Sequence, residues 1–351
     1  MCESRSTALT RWASSPSVLD SIRAEPLEEC SLSINSLRTA TMACGGAGSS
    51  NGIEMSYILS QARQIEVLRT LSEGSSISST SRLSAVHRDT CTRLVLRFGE
   101  ACRRFLDREL RDLELRHLEI DEMWTFCRKK QYNITGQEPD VGEIGDIYIY
   151  KALDEDSRLI VAFRVDKRTL EATTAFMFDL ASRLKKPHPH ASDAHAFKIE
   201  QYKPIVRIST DAFPSYPEAI NLAFGPYAEY AQLKKDISKK DGVQITKKII
   251  KGEIAPEDIS TSLVERNNLT TRTSLRRTTR KTLGYSKRLE NLRAATAIDI
   301  AVYNYCHTIK TTKQTPAVLA GIAGRRYSFA ELYYMLRESW PALFLIDEKV
   351  A

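Results

Sequence analysis

The stretch His117-Leu118-Glu119-Ile120-Asp121-Glu122-Met123-Trp124-Thr125-Phe126 is where the sequence changes period. Before it, apolar residues recur every three or four positions. Within it, apolar and polar residues alternate well enough for a strand. Two acids stand side by side here, Asp121 and Glu122, and alternation sends them to opposite faces of a sheet. Either is a candidate metal ligand; a solvated strand acid is the plainer role.

Downstream the pattern stays mixed. After a polar loop, roughly 128–142, come Ile147-Tyr148-Ile149-Tyr150-Lys151-Ala152-Leu153 and Leu159-Ile160-Val161-Ala162-Phe163-Arg164-Val165. The turn Asp154-Glu155-Asp156-Ser157 joins them into a β-hairpin. A helix is predicted from about Leu170 to Leu184. Past a loop containing histidines, Ile205-Val206-Arg207-Ile208-Ser209-Thr210 forms another strand, ended by Asp211-Ala212-Phe213-Pro214. The order β-β-β-α-β followed by a helix predicts a mixed α/β sheet with helices on its faces.

Upstream the reading is helical. Ile65, Leu68 and Leu71 mark one helix, stopped at Glu73-Gly74, and a second short helix spans Ile77 to Leu83. The turn Ser84-Ala85-Val86 leads to a third helix from about Arg88 through Arg97, and the helical pattern continues to Leu106. This order describes a helix-turn-helix unit in which Arg88, Thr90 and Arg93 face DNA. A plain three-helix packing unit with a solvated basic face is the alternative. The domains expected are thus 55–110, an all-α helix-turn-helix, and 115–345, the mixed sheet. Residues 1–54, rich in Ser, Ala, Arg and Gly, are expected to be disordered. Met55 opens the first patterned segment, so translation is expected to start there, which mass spectrometry of the native N-terminus would test.

Composition narrows the function classes. Lys and Arg outnumber Asp and Glu by 51 to 44, a modest excess of +7, so its placement matters more than its size. Between Arg266 and Arg288 there are eight basic residues and no acid, which points to a polyanion, most commonly nucleic acid. The seven cysteines (Cys2, Cys30, Cys44, Cys91, Cys102, Cys127 and Cys306) form no Cys-x-x-Cys pair, so neither a zinc module nor a disulfide framework is indicated. A reducing, cytoplasmic setting is expected. No stretch approaches the roughly 20 apolar residues of a membrane span.

Phosphodiester chemistry needs an activated oxygen nucleophile and charge relief at the leaving oxygen. A cluster of hard oxygen ligands holding two divalent metals serves both. Asp121 lies in the first strand of the sheet. Asp211 ends a later strand, at the edge where ligands gather in open α/β sheets. Glu265 sits in the first turn of the helix that carries the basic run. Each has a structural alternative: Asp211 as a turn residue, Glu265 as the closing member of a capping box Ser262-Leu263-Val264-Glu265. At about 100° per residue, however, Glu265, Asn268, Arg272 and Arg276 share one stripe of that helix, a face suited to a metal-bound phosphate backbone.

On these residues the sequence resembles bacterial insertion-sequence transposases of the insertion-element-one type. The matching stretches are Ile120 to Phe126, Ala152-Leu153-Asp154, Ser209-Thr210-Asp211 and Val264-Glu265-Arg266-Asn267-Asn268-Leu269-Thr270-Thr271-Arg272. Asn304-Tyr305-Cys306-His307, Lys310-Thr311-Thr312 and Thr315-Pro316-Ala317 look like the family's closing motif. The resemblance runs from about Gln61 to Ala323. It implies a ribonuclease H-like fold and an Asp-Asp-Glu set, carried over to Asp121, Asp211 and Glu265 as metal ligands. It implies two magnesium or manganese ions. Water frees a 3′-hydroxyl at an element end, and that hydroxyl attacks target DNA. Arg266, Asn268 and Arg272 would contact DNA or position Glu265. The expected partners are the element's terminal inverted repeats and target DNA, with a homodimer pairing two ends. Relatives often carry an N-terminal zinc module, for which this chain lacks the cysteines. A DNA-binding repressor without catalysis, and a nuclease that cuts without joining, are the alternatives.

Other residues read as structural. His188, His190 and His195 lie with Asp193 in a proline-interrupted loop that is a poor metal site. Cys127 reads as a small buried residue rather than a nucleophile, Trp124 and Phe126 as core, and Tyr305 and His307 as part of a helix packed on the sheet. Phe329 to Leu345 is expected to form an amphipathic closing helix.

Overall fold

The computed structural model describes residues 57–138, 142–185, 206–238, 242–345 and 347–348. The expected extension 1–54 and the loop holding His188, His190, Asp193 and His195 lie outside the described residues. Residues Glu54–Ala351 form one compact unit.

In chain order the elements are β1 (Tyr57–Ile58), α1 (Gln61–Ser72), α2 (Ile77–Ser84), α3 (Arg88–Glu109), β2 (His117–Cys127), β3 (Gly145–Asp154), β4 (Ile160–Asp166) and α4 (Leu170–Arg183). Then follow β5 (Val206–Asp211), α5 (Tyr216–Phe224), β6 (Ala228–Ser238), β7 (Gly242–Lys251), α6 (Ser262–Ser274), α7 (Leu289–Tyr305), α8 (Pro316–Leu319), α9 (Phe329–Ser339) and β8 (Asp347–Glu348). The main sheet has the order β4-β3-β2-β5-β6-β7. Pairings β2–β5 and β5–β6 are parallel and the others antiparallel. This is the expected α/β class, a ribonuclease H-like mixed sheet with flanking helices.

Adjacent residues of β3 show which helix covers which face. The Tyr150 ring packs on Phe176 of α4, 5.6 Å between centroids, while the buried Lys151 ammonium reaches Asn267 of α6. Strand residues alternate, so α4 and α6 lie on opposite faces. Asp121 and Glu122 are the cross-strand partners of Lys151 and Tyr150, and so divide between those faces.

The helical segment and the sheet share one apolar core, in which Phe98 and Phe105 of α3 join Ile120, Ile208 and Ile300. Helix α3 runs against α7, and Gly99 permits the approach: a Cβ there would stand 2.5 Å from the Ala294 carbonyl oxygen. Ala85, in the left-handed region with φ 51°, turns the chain between α2 and α3. Three features depart from the sequence reading. The β6–β7 ribbon was not foreseen. The closing helix stops at Ser339, because Pro341 cannot continue it and instead opens a 3-10 turn, Pro341–Phe344. Helix α6 stops at Ser274, where the hydroxyls of Thr273 and Ser274 bond back to the Thr270 carbonyl and Leu275 turns extended. No helix among the described residues is long and apolar enough to cross a membrane.

Candidate active site

The cleft begins with a register. Strands β2 and β5 run parallel with Ile120 opposite Thr210, their last paired residues. Asp121 and Asp211 come next on each strand, so two acids 90 positions apart in the chain stand side by side where the ladder ends. Past that point β2 has no strand partner on this side among the described residues until Cys127, which bridges Ser286. Carboxylates from its two faces meet there: single oxygens of Asp121, Glu122 and Asp211 all lie within 4.8 Å of one another.

Helix α6 brings the third expected acid. Glu265, exposed, lines the same cleft of about 430 Å³ as Asp121 and Asp211. Its carboxylate accepts from the Thr261 hydroxyl at 2.7 Å and from the Lys235 ammonium of β6. The predicted capping box does not form, since α6 is capped from another element. The buried Glu119 of β2 accepts from the backbone N–H groups of Leu263 and Val264 at 2.7 and 2.9 Å. A carboxylate at the positive end of the helix fixes where Glu265 stands relative to the strand bearing Asp121.

Further contacts lock that helix to the sheet. The Asn268 amide donates to Asp121 Oδ2 at 2.8 Å. Beneath it, Lys151 donates to Asn267 Oδ1 at 2.8 Å and Thr271 Oγ1 at 2.6 Å. Thr271 passes its own hydrogen to Asp299 of α7 at 3.0 Å. Burial pushes the Lys151 ammonium down to about 8. Arg272 bonds the backbone carbonyls of Thr278 and Trp124 at 3.0 and 3.3 Å. Asn268 and Arg272 thus spend these donors within the protein. Arg276 leaves the predicted stripe, because the helix has ended and this exposed residue begins a 3-10 turn.

Burial is the largest influence on each clustered acid. It raises Asp121 and Asp211 above the usual carboxylate range, reinforced at Asp121 by the neighbouring Asp211 charge. It pushes Glu122 up to about 8, again with Asp211 adding. Two cations offset the acids. Arg168, in the turn between β4 and α4, places its guanidinium 3.3 Å from Asp211 and 3.5 Å from Glu122. Lys235 pairs with Glu265. The donor set is all hard oxygen, and one buried oxygen, Glu122 Oε1, accepts no hydrogen bond and has only the Arg168 ion pair at 3.5 Å. Both properties suit a divalent cation of the magnesium class, which Asp121, Glu122 and Asp211 could ligate, with Glu265 across the cleft.

The expected DNA-facing residues fare unequally. Thr90 is fully buried, facing the core of the helical segment, and presents nothing to DNA; its hydroxyl accepts from Arg93 at 3.3 Å. Arg93 is half-buried, whereas Arg88 and Arg266 are exposed. Arg88 and Arg276 line one groove of about 500 Å³ together with Arg277, Lys287 and Arg288, so the basic run lies beside the start of α3. Cys127 is buried, and burial pushes its thiol up to about 11, which fits packing rather than nucleophilic chemistry. Glu119, Lys151 and Arg168 were missed. Glu119 and Lys151 carry the one available signal, a charge at an inward position of an apolar strand.

No protein-family model and no curated protein matches the sequence. Among solved structures, the chain is similar to one in the Mos1 strand transfer complex, at 14% identity over 54% of this chain and 60% of that one, TM-score 0.19. For the Mos1 mariner paired end complex with Mn the identity is 13%, the coverage 51% and 59%, and the TM-score 0.18. For a pre-cleavage Mos1 transpososome the values are 14%, 54% and 61%, and 0.20. This chain thus spans about three fifths of the solved chains it matches. At such identities and scores, function has to be read from the cleft itself.

Proposed function

We propose that the protein is a DNA transposase of the insertion-element-one type, with Asp121, Asp211 and Glu265 as its catalytic acids. One observation carries this reading: three acids from β2, β5 and α6 line a single cleft, and the Asn268 amide holds the first of them. Two magnesium or manganese ions, when bound, would supply activation of the attacking oxygen and charge relief at the leaving oxygen. The chain's own residues set the geometry. Glu119 and Lys151 fix α6 on the sheet, Asn268 turns the Asp121 carboxylate, and Lys235 holds Glu265 until its charge is needed elsewhere.

In this reading water first attacks a phosphodiester at an element end, and the freed 3′-hydroxyl then attacks target DNA. Arg266, beside Glu265, meets the strand entering the cleft. Arg88 and Arg276, on the groove they share with Lys287 and Arg288, meet the flanking duplex, and Arg93 of the same helix as Arg88 adds to that contact. Terminal inverted repeats are recognised by α1–α3 acting as a helix-turn-helix, and a homodimer pairs two ends on the bacterial nucleoid.

The test is magnesium-dependent cleavage and joining of the element's own terminal DNA by wild type and Glu265→Gln. Joined products from the wild type, with a variant that binds but does not cut, support the proposal. Binding without cutting by the wild type, in magnesium or manganese, would favour a repressor. Nicks without joining would favour a nuclease.

A further inference from the structure

Arg168 belongs to no stretch that matches the transposase resemblance, yet it lines the cleft with Asp121, Asp211 and Glu265. Its guanidinium carbon lies over the Phe213 ring, 3.9 Å from the centroid, and 5.6 Å from the centroid of Tyr148. The two rings restrict its direction, because a guanidinium stacks on a ring face and is weakly hydrated there. From that perch one nitrogen reaches Asp211 and another Glu122. About a third of the side chain stays exposed, and it lines the cleft together with Asp121 and Phe213. A purely structural arginine would spend its donors on fixed carbonyls, as the half-buried Arg272 does. Arg168 instead spends its contacts on the acids suited to a divalent cation.

We propose that Arg168 is a phosphate anchor for the DNA strand in the cleft, held on Asp211 and Glu122 until those acids take up divalent metal. The proposal rests on the transposase reading. Its physical basis is competition for the same oxygens. A guanidinium and a divalent cation on one carboxylate repel each other, and in a half-buried cleft solvent screens that repulsion only in part. The ring stack keeps the displaced guanidinium in the cleft, and the next anion available to its planar fork is a phosphodiester.

Two measurements test this, and neither needs turnover. The first is anisotropy of a short labelled duplex over a salt series, in EDTA and in calcium, with wild type, Arg168→Met and Arg168→Lys. Methionine keeps an unbranched apolar stem as far as the Nε position and removes the charge. In calcium, Arg168→Met should bind about tenfold more weakly, with a log–log salt slope lower by about one unit, as for the loss of one phosphate contact. In EDTA the two proteins should bind alike. Arg168→Lys should keep the slope and recover part of the affinity. Equal losses in EDTA and calcium, or no loss in either, would overturn the proposal. The second measurement is a manganese titration without DNA, followed by electron paramagnetic resonance. Arg168→Met should bind the ion several-fold more tightly than wild type, because a competing cation has gone. Weaker binding would mean that Arg168 builds the ligand geometry, and would also overturn it. A wild type that binds no duplex at all would fail the transposase reading first, which keeps the two failures apart.

Discussion

Helices α3 and α6 both carry basic residues and were both read as facing DNA, but they are built on opposite plans. On α3 the buried face is nearly all apolar, with Leu94, Val95, Phe98, Phe105 and Leu106, and its charges point outward. On α6 the buried positions are Val264, Asn267, Asn268 and Thr271, so the face pressed on the sheet is mostly polar. Burying polar groups costs free energy unless each is hydrogen-bonded, and here Asn268 bonds Asp121 while Lys151 bonds Asn267 and Thr271. A helix that faces its core with apolar residues needs no function to explain it. A helix whose buried polar groups bond to the sheet beneath it, with only Asn267 Nδ2 and Asn268 Oδ1 left over, is held there for a geometry, and on α6 that geometry brings Glu265 into the cleft of Asp121.

The largest effect expected from this contrast is at Lys151. Truncation to Ala removes a fully buried ammonium and leaves Asn267 Oδ1 without its donor and Asp299 without its nearest cation. Breaking a buried charge network costs about 3–5 kcal/mol. Urea unfolding of Lys151→Ala should show a loss of that size, and magnesium-dependent cleavage should fall with it even under conditions where the variant is folded. A loss under about 1 kcal/mol would mean that the network is incidental. On α3 no single polar truncation should approach this figure.

That difference also explains what could be read beforehand. The strands β2 to β5 were legible because alternation and the acidic turn after Leu153 are local signals. Asp121, Asp211 and Glu265 were legible as candidates, but their meeting depends on the parallel register Ile120–Thr210, which no local pattern encodes. The α6 cap was misassigned for the same reason. Ser262 and Glu265 have capping-box spacing, yet the Ser262 N–H goes to Ser260 Oγ and the Glu265 N–H to the Thr261 carbonyl, while the first-turn donors of Leu263 and Val264 go to Glu119, more than 140 positions earlier. Thr90 was misplaced because helical spacing gives a face its identity only when its neighbours are known. It lies beside Cys91 and Leu94 on the buried side. The β6–β7 ribbon escaped because its exposed strand, with Lys247 and Lys248 among isoleucines, lacks an apolar face.

A smaller expected effect separates the cleft from α3 by pH. Burial holds the Glu122 carboxyl at about 8 against an ordinary value of 4.5. Between those values the native state keeps a proton that the unfolded chain has released, so metal-free stability falls as pH rises through that window. Below it the contribution is complete. Each pH unit of displacement is worth about 1.4 kcal/mol, so thermal or urea unfolding in EDTA should lose a few kcal/mol from acid to neutral pH. Glu122→Gln should flatten the fall, and magnesium should offset it by favouring the ionised form. On α3, Glu100 is shifted the other way, its carboxyl held down chiefly by the hydrogen bond from Arg103, and contributes nothing to that decline. A stability that rises with pH over the same window would contradict the burial of Glu122.

The smallest effects are expected on α3, and they decide whether it reads DNA. Thr90 and Arg88 are two positions apart on its first turn, one buried and one exposed. Thr90→Ala removes a hydroxyl whose partner is Arg93 and should cost about 0.5–1.5 kcal/mol of stability with DNA binding unchanged. Arg88→Ala removes an exposed guanidinium at the rim of the groove formed with Arg276 and Arg288. It should leave stability within about 0.5 kcal/mol and lower the salt slope of duplex binding by about one unit. If both variants bind duplex as wild type does, α3 is the plain packing helix that its apolar face already explains. The basic groove would then owe its affinity to the segment after α6. If Arg88→Ala alone weakens binding, the groove is read from both sides, and the helical segment and the sheet act on one duplex.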